Sequence, residues 1–297
     1  MLVRRRGDVM QTKETMMSVK PFAITLDVGT SLANRTGSWR TLKPVYVDRL
    51  PPCNAKCPAG EQCQAWLFHA QSGNYENAWK QIIEDNPFPA VMGRVCYHTC
   101  QGACNRNGID EPVGINAVER FLGDYALEKG WQLPVPAADT GKRILIVGAG
   151  PAGLSAAYQL RRLGHAVHVV ESAEAAGGMM RYGIPKYRLP REVLDQEIAR
   201  IAALGVEFEF GREVKDLNAE MKSAGYDAAF LGAGASLAHR AYIPAGDAAH
   251  ILDAVSVLRS MEAPDQGAAD CRRLAGRTVR PAGWGGLAGF DAAAPDA

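Results

Sequence analysis

Six of the seven cysteines fall in two short groups. Cys53 and Cys57 stand in PPCNAKCPAG, with Cys63 close behind; Cys96, Cys100 and Cys104 stand in GRVCYHTCQGAC. Thiolates are soft ligands, suited to zinc and to iron–sulfur clusters. If the second group is helical, its i, i+4, i+8 spacing puts three sulfurs on one face. Cys53 and Cys57 repeat that spacing and can close a four-thiolate cage from a separate segment. Structural zinc sites are built mostly on CxxC or CxxxxC knuckles. The uniform CxxxC spacing therefore favours iron–sulfur over zinc, with unmetallated thiols as a third reading. Cys63 falls inside a helical pattern and reads as a small core residue. Cys271 is isolated and receives no metal role.

A second chemical signal follows at once. Lys142–Gly153 reads KRILIVGAGPAG, a GxGxxG turn between a short apolar strand and a helix. Gly148 allows the tight turn, Gly150 lets the backbone approach a pyrophosphate, and Gly153 lets helix and strand pack closely. Pro151 and Ala152 complete the turn, and the helix start offers amide donors and positive dipole to phosphates. Glu171 closes the next strand, where an acid can bind ribose hydroxyls. A thiolate site leading into a dinucleotide site points to electron transfer. No Ser/His/Asp or paired-carboxylate constellation is present, so no catalytic residue is assigned. His98 reads as a surface or packing residue.

The elements that must position these groups change character along the chain. Residues 21–50 form an extended lead-in. From Ala59 to Lys129 the pattern is helical: Ala65, Trp66, Phe68 and His69 start one helix, and Tyr75, Ala78, Trp79, Ile82 and Ile83 keep helical spacing. Asn86-Pro87-Phe88-Pro89 must interrupt it, because proline removes a donor and restricts its predecessor. A further helix runs from Asn116 to Lys129 and stops at Gly130. Gln132–Gly141 is a linker by composition. Strand and helix then alternate: strands at Arg143–Val147, Ala166–Glu171, Gly205–Phe210 and Tyr226–Leu231, helices at Pro151–Leu163 and Arg191–Leu204. The predicted fold is an α-helical iron–sulfur domain (45–131) followed by an α/β Rossmann-like domain (142–266), an incomplete doubly wound parallel sheet.

Composition sets the outer bounds. The 297 residues carry a formal net charge of +1, with 47% hydrophobic and 22% charged residues. That balance favours neither nucleic acid nor an anionic membrane as a partner. No stretch has transmembrane length, and the basic N-terminus lacks the apolar core of a signal peptide. The expectation is a cytoplasmic, reducing setting, in which clustered cysteines read as metal ligands rather than disulfides. Residues 1–44 are a lead-in, disordered at least over the first twenty.

The stretches CNAKCPAG, NPFPAVMGRVC, CQGACNR and VGINAVERF together resemble the N-terminal iron–sulfur domain shared by the small subunit of bacterial glutamate synthase and by dihydropyrimidine dehydrogenase. The resemblance extends over about residues 45–266. It implies a [4Fe-4S] cluster on Cys57, Cys96 and Cys100, with Glu119 in AVERF as fourth ligand; a surface glutamate is the plain alternative. It implies a second cluster on Cys53, Cys104 and two cysteines upstream of Cys53, which this chain lacks, so one cluster is the expected count and two the upper bound. It also implies FAD at the GxGxxG turn. Gly177–Pro190, GGMMRYGIPKYRLP, is similar to the family's flavin-contacting loop. Gly178 there permits close approach, and Arg181 and Arg188 face either a phosphate or reduced flavin, or only solvent. Gly232 and Gly234, in YDAAFLGAGA, are the corresponding later turn.

In that family NADPH reduces FAD, and electrons pass through the cluster to a partner: a larger oxidoreductase subunit or a ferredoxin-like acceptor. A second fingerprint for NADPH is expected after His250–Gln266 and does not follow. Residues 267–297, rich in alanine and glycine, read as an unstructured tail and suggest a truncated or frameshifted end, with NADPH binding confined to a full-length form. The rival readings are a non-catalytic partner-binding or assembly fragment and a zinc-stabilised structural module.

Overall fold

The computed structural model describes residues 50–235 and 254–262. The expectations for the lead-in over 1–44, for the tail over 267–297 and for Cys271 lie outside the described residues.

The first part is helical: α1 (Pro52–Lys56), α2 (Cys63–Gln71), α3 (Tyr75–Ile83), α4 (Pro89–Val95), α5 (Thr99–Gly102) and α6 (Ile115–Glu128). The Asn-Pro-Phe-Pro break falls between α3 and α4, and Pro89 occupies the first turn of α4, where its missing N–H costs nothing. Trp66, Ile82 and Leu122 are fully buried between α2, α3 and α6. The tightest contact joins α4 to α6. A Cβ on Gly93 would lie 2.4 Å from the Arg120 Cα, and one on Gly123 would lie 2.3 Å from the Ala90 nitrogen. The two backbones therefore touch at both glycines. Arg94 clamps the same pair with a two-pronged ion pair to Asp124, at 2.6 and 2.9 Å.

The second cysteine group does not share a single helix face. Cys96 ends α4 in extended conformation, and His98 takes a left-handed φ of 55° before Cys100 enters the one-turn α5. Cys104 leads into a 3₁₀ turn, Asn105–Gly108. The chain turns at each cysteine, so the sulfurs gather by loop geometry rather than by helical period.

The α/β part follows the expected alternation: β1 (Arg143–Val147), α7 (Pro151–Arg162), β2 (Ala166–Val170), α8 (Met179–Tyr182), α9 (Arg191–Ala202), β3 (Glu207–Glu209), α10 (Leu217–Ala224) and β4 (Ala228–Leu231), with α11 (Ala254–Ser260) beyond. The sheet order is β3-β2-β1-β4 and every pairing is parallel, with Ile146 opposite Val169 on one side and Phe230 on the other. This is half of a doubly wound sheet. Leu145 and Ile146 are fully buried, as a parallel strand covered on both faces requires.

The two parts share a core. Trp79, Phe88, Val91 and Ala126 of the helical part lie in one buried cluster with Ile146, Leu154, Tyr158 and Leu194 of the α/β part. The Tyr158 hydroxyl donates to the Ile83 carbonyl at 2.7 Å. The segment Gln132–Gly141 lies along the α/β part, with the Ala137 amide donating to the Arg162 carbonyl and the Thr140 amide to that of Gly164.

Candidate metal centre and nucleotide site

The thiol pocket is built by three segments. Asn54 closes the first, its amide donating to Gln62 and its carbonyl accepting from the Gln64 amide. Thr99 fastens the second cysteine segment to the first by donating to the Lys56 carbonyl at 2.8 Å. Asn116 on α6 completes the frame: its side chain donates to the Met92 carbonyl, and its amide donates to Gln101.

These ties bring the Cys63 sulfur within 4.8 Å of that of Cys57, with Cys100 packed against the same core cluster. The Cys57 and Cys100 thiols are held down to about 6 and about 7, foremost by hydrogen bonding with Cys63, against a burial effect of opposite sign. The same contacts push the Cys63 thiol up. Cys96 accepts from the His98 amide at 3.5 Å, and burial pushes its thiol up. Cys53 is half-buried, with its thiol also raised by burial and, more weakly, by Cys104 and Cys100.

Two carboxylates share this pocket. Glu119, predicted from AVERF, is 6% exposed, and Glu61, which sequence reasoning missed, is 5% exposed. One side chain, Asn86, donates to both, at 3.0 Å to Glu119 and 2.9 Å to Glu61. Burial raises Glu61 to about 7 and Glu119 well above the usual carboxylate range. The ligand atoms of Cys57, Glu61 and Cys63 lie within 4.8 Å of one another. Soft sulfurs lining a half-buried pocket fit an iron–sulfur cluster by donor chemistry. Asn86 is held between the two carboxylates by a local turn, its Oδ1 accepting from the Phe88 amide at 2.9 Å.

The nucleotide site forms where three glycine turns meet beyond the C-terminal ends of β1 and β4, the place where open α/β sheets bind ligands. Gly148 has φ 100°, and a Cβ there would lie 2.4 Å from the Gly232 carbonyl oxygen. A Cβ on Gly153 would meet the Gly148 oxygen at 1.9 Å, so α7 packs on β1 as its spacing predicts. Gly178, at φ 50°, sets its backbone against Gly150, and the Gly177 amide donates to the Ala149 carbonyl at 2.8 Å. Gly234, with φ 71°, borders open space. Pro151 and Ala152 are exposed on the first turn of α7. Such a cradle of bare backbone fits a dinucleotide pyrophosphate.

Glu171 lies beside this cradle and is already bonded within it. It accepts from the Ala149 amide at 2.6 Å and from the Ala173 amide at 2.8 Å. Arg181 is held by the Ala176 carbonyl and by Asp195. Arg188 is exposed. Arg191 was missed by sequence reasoning and organises the loop: it donates to the carbonyls of Met180, Arg181, Ile184 and Leu189 and pairs with Glu262 at 2.8 Å.

Comparison with known proteins matches residues 48–131 to the family described as dihydropyrimidine dehydrogenase domain II, 4Fe-4S cluster. Residues 146–198 match the NAD(P)-binding Rossmann-like domain. The beta subunit of the NADP(+)-dependent formate dehydrogenase of Moorella thermoacetica is 34% identical over 80% of this chain and 36% of its own length. The NAD-dependent dihydropyrimidine dehydrogenase subunit PreT of Salmonella typhimurium is 38% identical over 62% of this chain and 46% of its own. The glutamate synthase [NADPH] small chain of Bacillus subtilis is 36% identical over 60% of this chain and 37% of its own. The chain thus spans less than half the length of these relatives. No helix among the described residues is long and apolar enough to cross a membrane.

Proposed function

We propose that this chain, a homologue of the glutamate synthase small chains and of dihydropyrimidine dehydrogenase subunit PreT, is an electron-transfer subunit that carries FAD and a [4Fe-4S] cluster. It passes electrons from NADPH to a larger oxidoreductase subunit or a ferredoxin-like acceptor. The observation that carries this reading is the presence of a half-buried thiol pocket in the helical part and a glycine cradle in the α/β part, the two parts sharing one core. Bound there, the two groups supply two-electron and one-electron redox chemistry, which no side chain supplies.

The protein's own part is to hold and tune. Cys57, Cys96 and Cys100 are the iron ligands, with Glu119 the fourth by family likeness. Cys53 and Cys104 would serve a second cluster only with ligands from elsewhere. The backbone of Gly148–Gly153 receives the pyrophosphate, Glu171 the ribose, and the loop docked by Gly177 and Gly178 covers the ring. That docked loop is what supports FAD at this turn, where the family description names NAD(P). Gly232 and Gly234 border the phosphates, and the exposed Arg188 is the guanidinium assigned to a phosphate or the reduced ring.

Anaerobic purification of the full chain tests this. Iron and acid-labile sulfide in near-equal amounts, with bound FAD released on denaturation, is the expected result. Stoichiometric zinc without sulfide overturns the cluster and supports a structural zinc module. Failure to bind FAD at any concentration overturns the flavin assignment.

A further inference from the structure

We propose that the chain carries a further binding site, separate from the thiol pocket and the glycine cradle, for a small organic acid: a carboxylate with a short aliphatic body, held on Arg200. The site is an open cleft of about 470 Å³ where the linker meets the C-terminal ends of α7 and α9. Leu133, Val135 and Pro136 line it from the linker, Arg161 from α7, Arg200 from the last turn of α9 and Leu204 from just beyond. Its volume falls in the range of small-molecule sites, about 300–1,000 Å³. Arg161 stands near the end of α7 and the glycine cradle at its start, roughly 15 Å away at about 1.5 Å per residue.

The two arginines of the cleft differ. Arg161 is committed to backbone: its Nε donates to the Leu204 carbonyl at 2.6 Å and its Nη1 to the His165 carbonyl at 3.1 Å. It closes the end of α9 and shapes the wall. Arg200 is 8% exposed, and its guanidinium lies over the Trp79 ring, 5.3 Å from the ring centre. Its buried Nη2 has no hydrogen-bond partner among the described residues, and Arg200 forms no ion pair with them. A buried donor without an acceptor costs free energy, which an incoming carboxylate recovers. Glu197, one turn earlier on α9, does not answer the charge. Both its carboxylate oxygens accept from amides, those of Ala90 and Val91, and burial raises its carboxyl to about 8, so it is largely neutral at pH 7. Burial likewise pulls the Arg200 guanidinium below its ordinary value. The planar fork of a guanidinium matches the two oxygens of a carboxylate. Leu133, Val135, Pro136 and Leu204 make the rest of the cleft apolar, so the body of the ligand is aliphatic.

The test is calorimetric titration of the anaerobically purified full chain with sodium butyrate, n-butanol and inorganic phosphate at matched ionic strength. Saturable one-to-one binding of butyrate is expected. Butanol, which lacks the charge, should bind weaker by about tenfold or more, the worth of a charge-assisted contact. Phosphate, which lacks the apolar body, should also bind more weakly than butyrate. Arg200→Met keeps the apolar stem over Trp79 without the guanidinium and should weaken butyrate by a similar factor. Ala203→Glu places a competing carboxylate beside Arg200 from an exposed position that lines the cleft, so it tests the site even where Arg200→Met folds poorly. It should weaken butyrate as well. Absence of saturable butyrate binding, undiminished binding in either folded variant, or butanol or phosphate binding as tightly as butyrate overturns the inference. None of these results bears on the iron–sulfur and FAD reading, which cofactor content measures separately.

Discussion

The Cys57 thiol is held down to about 6, foremost by Cys63 and then by the amides of Glu61, Ala59 and Gly60, against the upward pull of burial. Cys57→Ala should therefore abolish stable iron and sulfide incorporation, measured by chemical analysis of anaerobically purified protein. Retention of a full complement would exclude Cys57 as a ligand. Glu171 makes a different case. Its carboxylate holds the Ala149 and Ala173 amides as well as standing where a ribose would bind. Glu171→Ala removes charge-assisted bonds worth roughly 1.5–3 kcal/mol, so FAD affinity should drop on the order of 10- to 150-fold. Fluorescence titration with FAD reads this directly, and an unchanged dissociation constant would place the ribose elsewhere.

At the scale of elements, the metal pocket depends on how closely α4 approaches α6, because α4 delivers Cys96 and α6 delivers Glu119. Gly93 and Gly123 set that distance, each meeting the opposite backbone where no Cβ fits. Gly123→Ala forces the helices apart, and overpacking of this kind costs about 1–3 kcal/mol. Urea unfolding should show the loss, and reconstituted iron content should fall with it; an unshifted midpoint would mean the helices give way at no cost. Both glycines were visible in helical stretches, but a glycine's packing partner is invisible without the other helix. α10 was legible and overlooked: Asp216 caps the Ala219 amide and Gly225 ends the helix in left-handed conformation, signals plain in DLNAEMKSAG. α1 and α8 are too short for periodicity to mark.

On the scale of the whole molecule, the helical and α/β parts are joined through Glu197. This side chain of α9 is fully buried and accepts the Ala90 and Val91 amides at the start of α4, at 3.0 and 3.2 Å. Burial raises its carboxyl from 4.5 to about 8, outweighing the opposing amides and Arg200. The folded protein therefore keeps a proton that the unfolded chain releases. This contribution to stability is complete below about pH 4.5 and is lost as pH rises through about 8, with Glu61 adding the same sign up to about 7. Metal-free protein should accordingly lose a few kcal/mol between pH 5 and pH 8 in urea unfolding. Glu197→Gln keeps an acceptor that cannot ionise and should flatten much of that slope. An equally steep slope in the variant would assign the effect to other groups.

The alternation of strands and helices, the GxGxxG turn and the two cysteine groups were readable from the chain alone. Each depends on local rules: the period of apolar residues, the backbone freedom of glycine, the affinity of thiols for soft metals. The sulfurs' actual arrangement was not readable that way. The spacing put three sulfurs on one face only if Cys96–Cys104 were one helix, and His98 in left-handed conformation breaks that segment with a turn. Tertiary packing likewise brought the Cys63 sulfur to that of Cys57, set Asn86 between Glu61 and Glu119, and buried Glu197 under α4. These placements arise from contacts between residues distant along the chain, Glu197 and Ala90 being 107 positions apart. They are settled by how the two parts close over a common core, and no local pattern in the sequence encodes that closure.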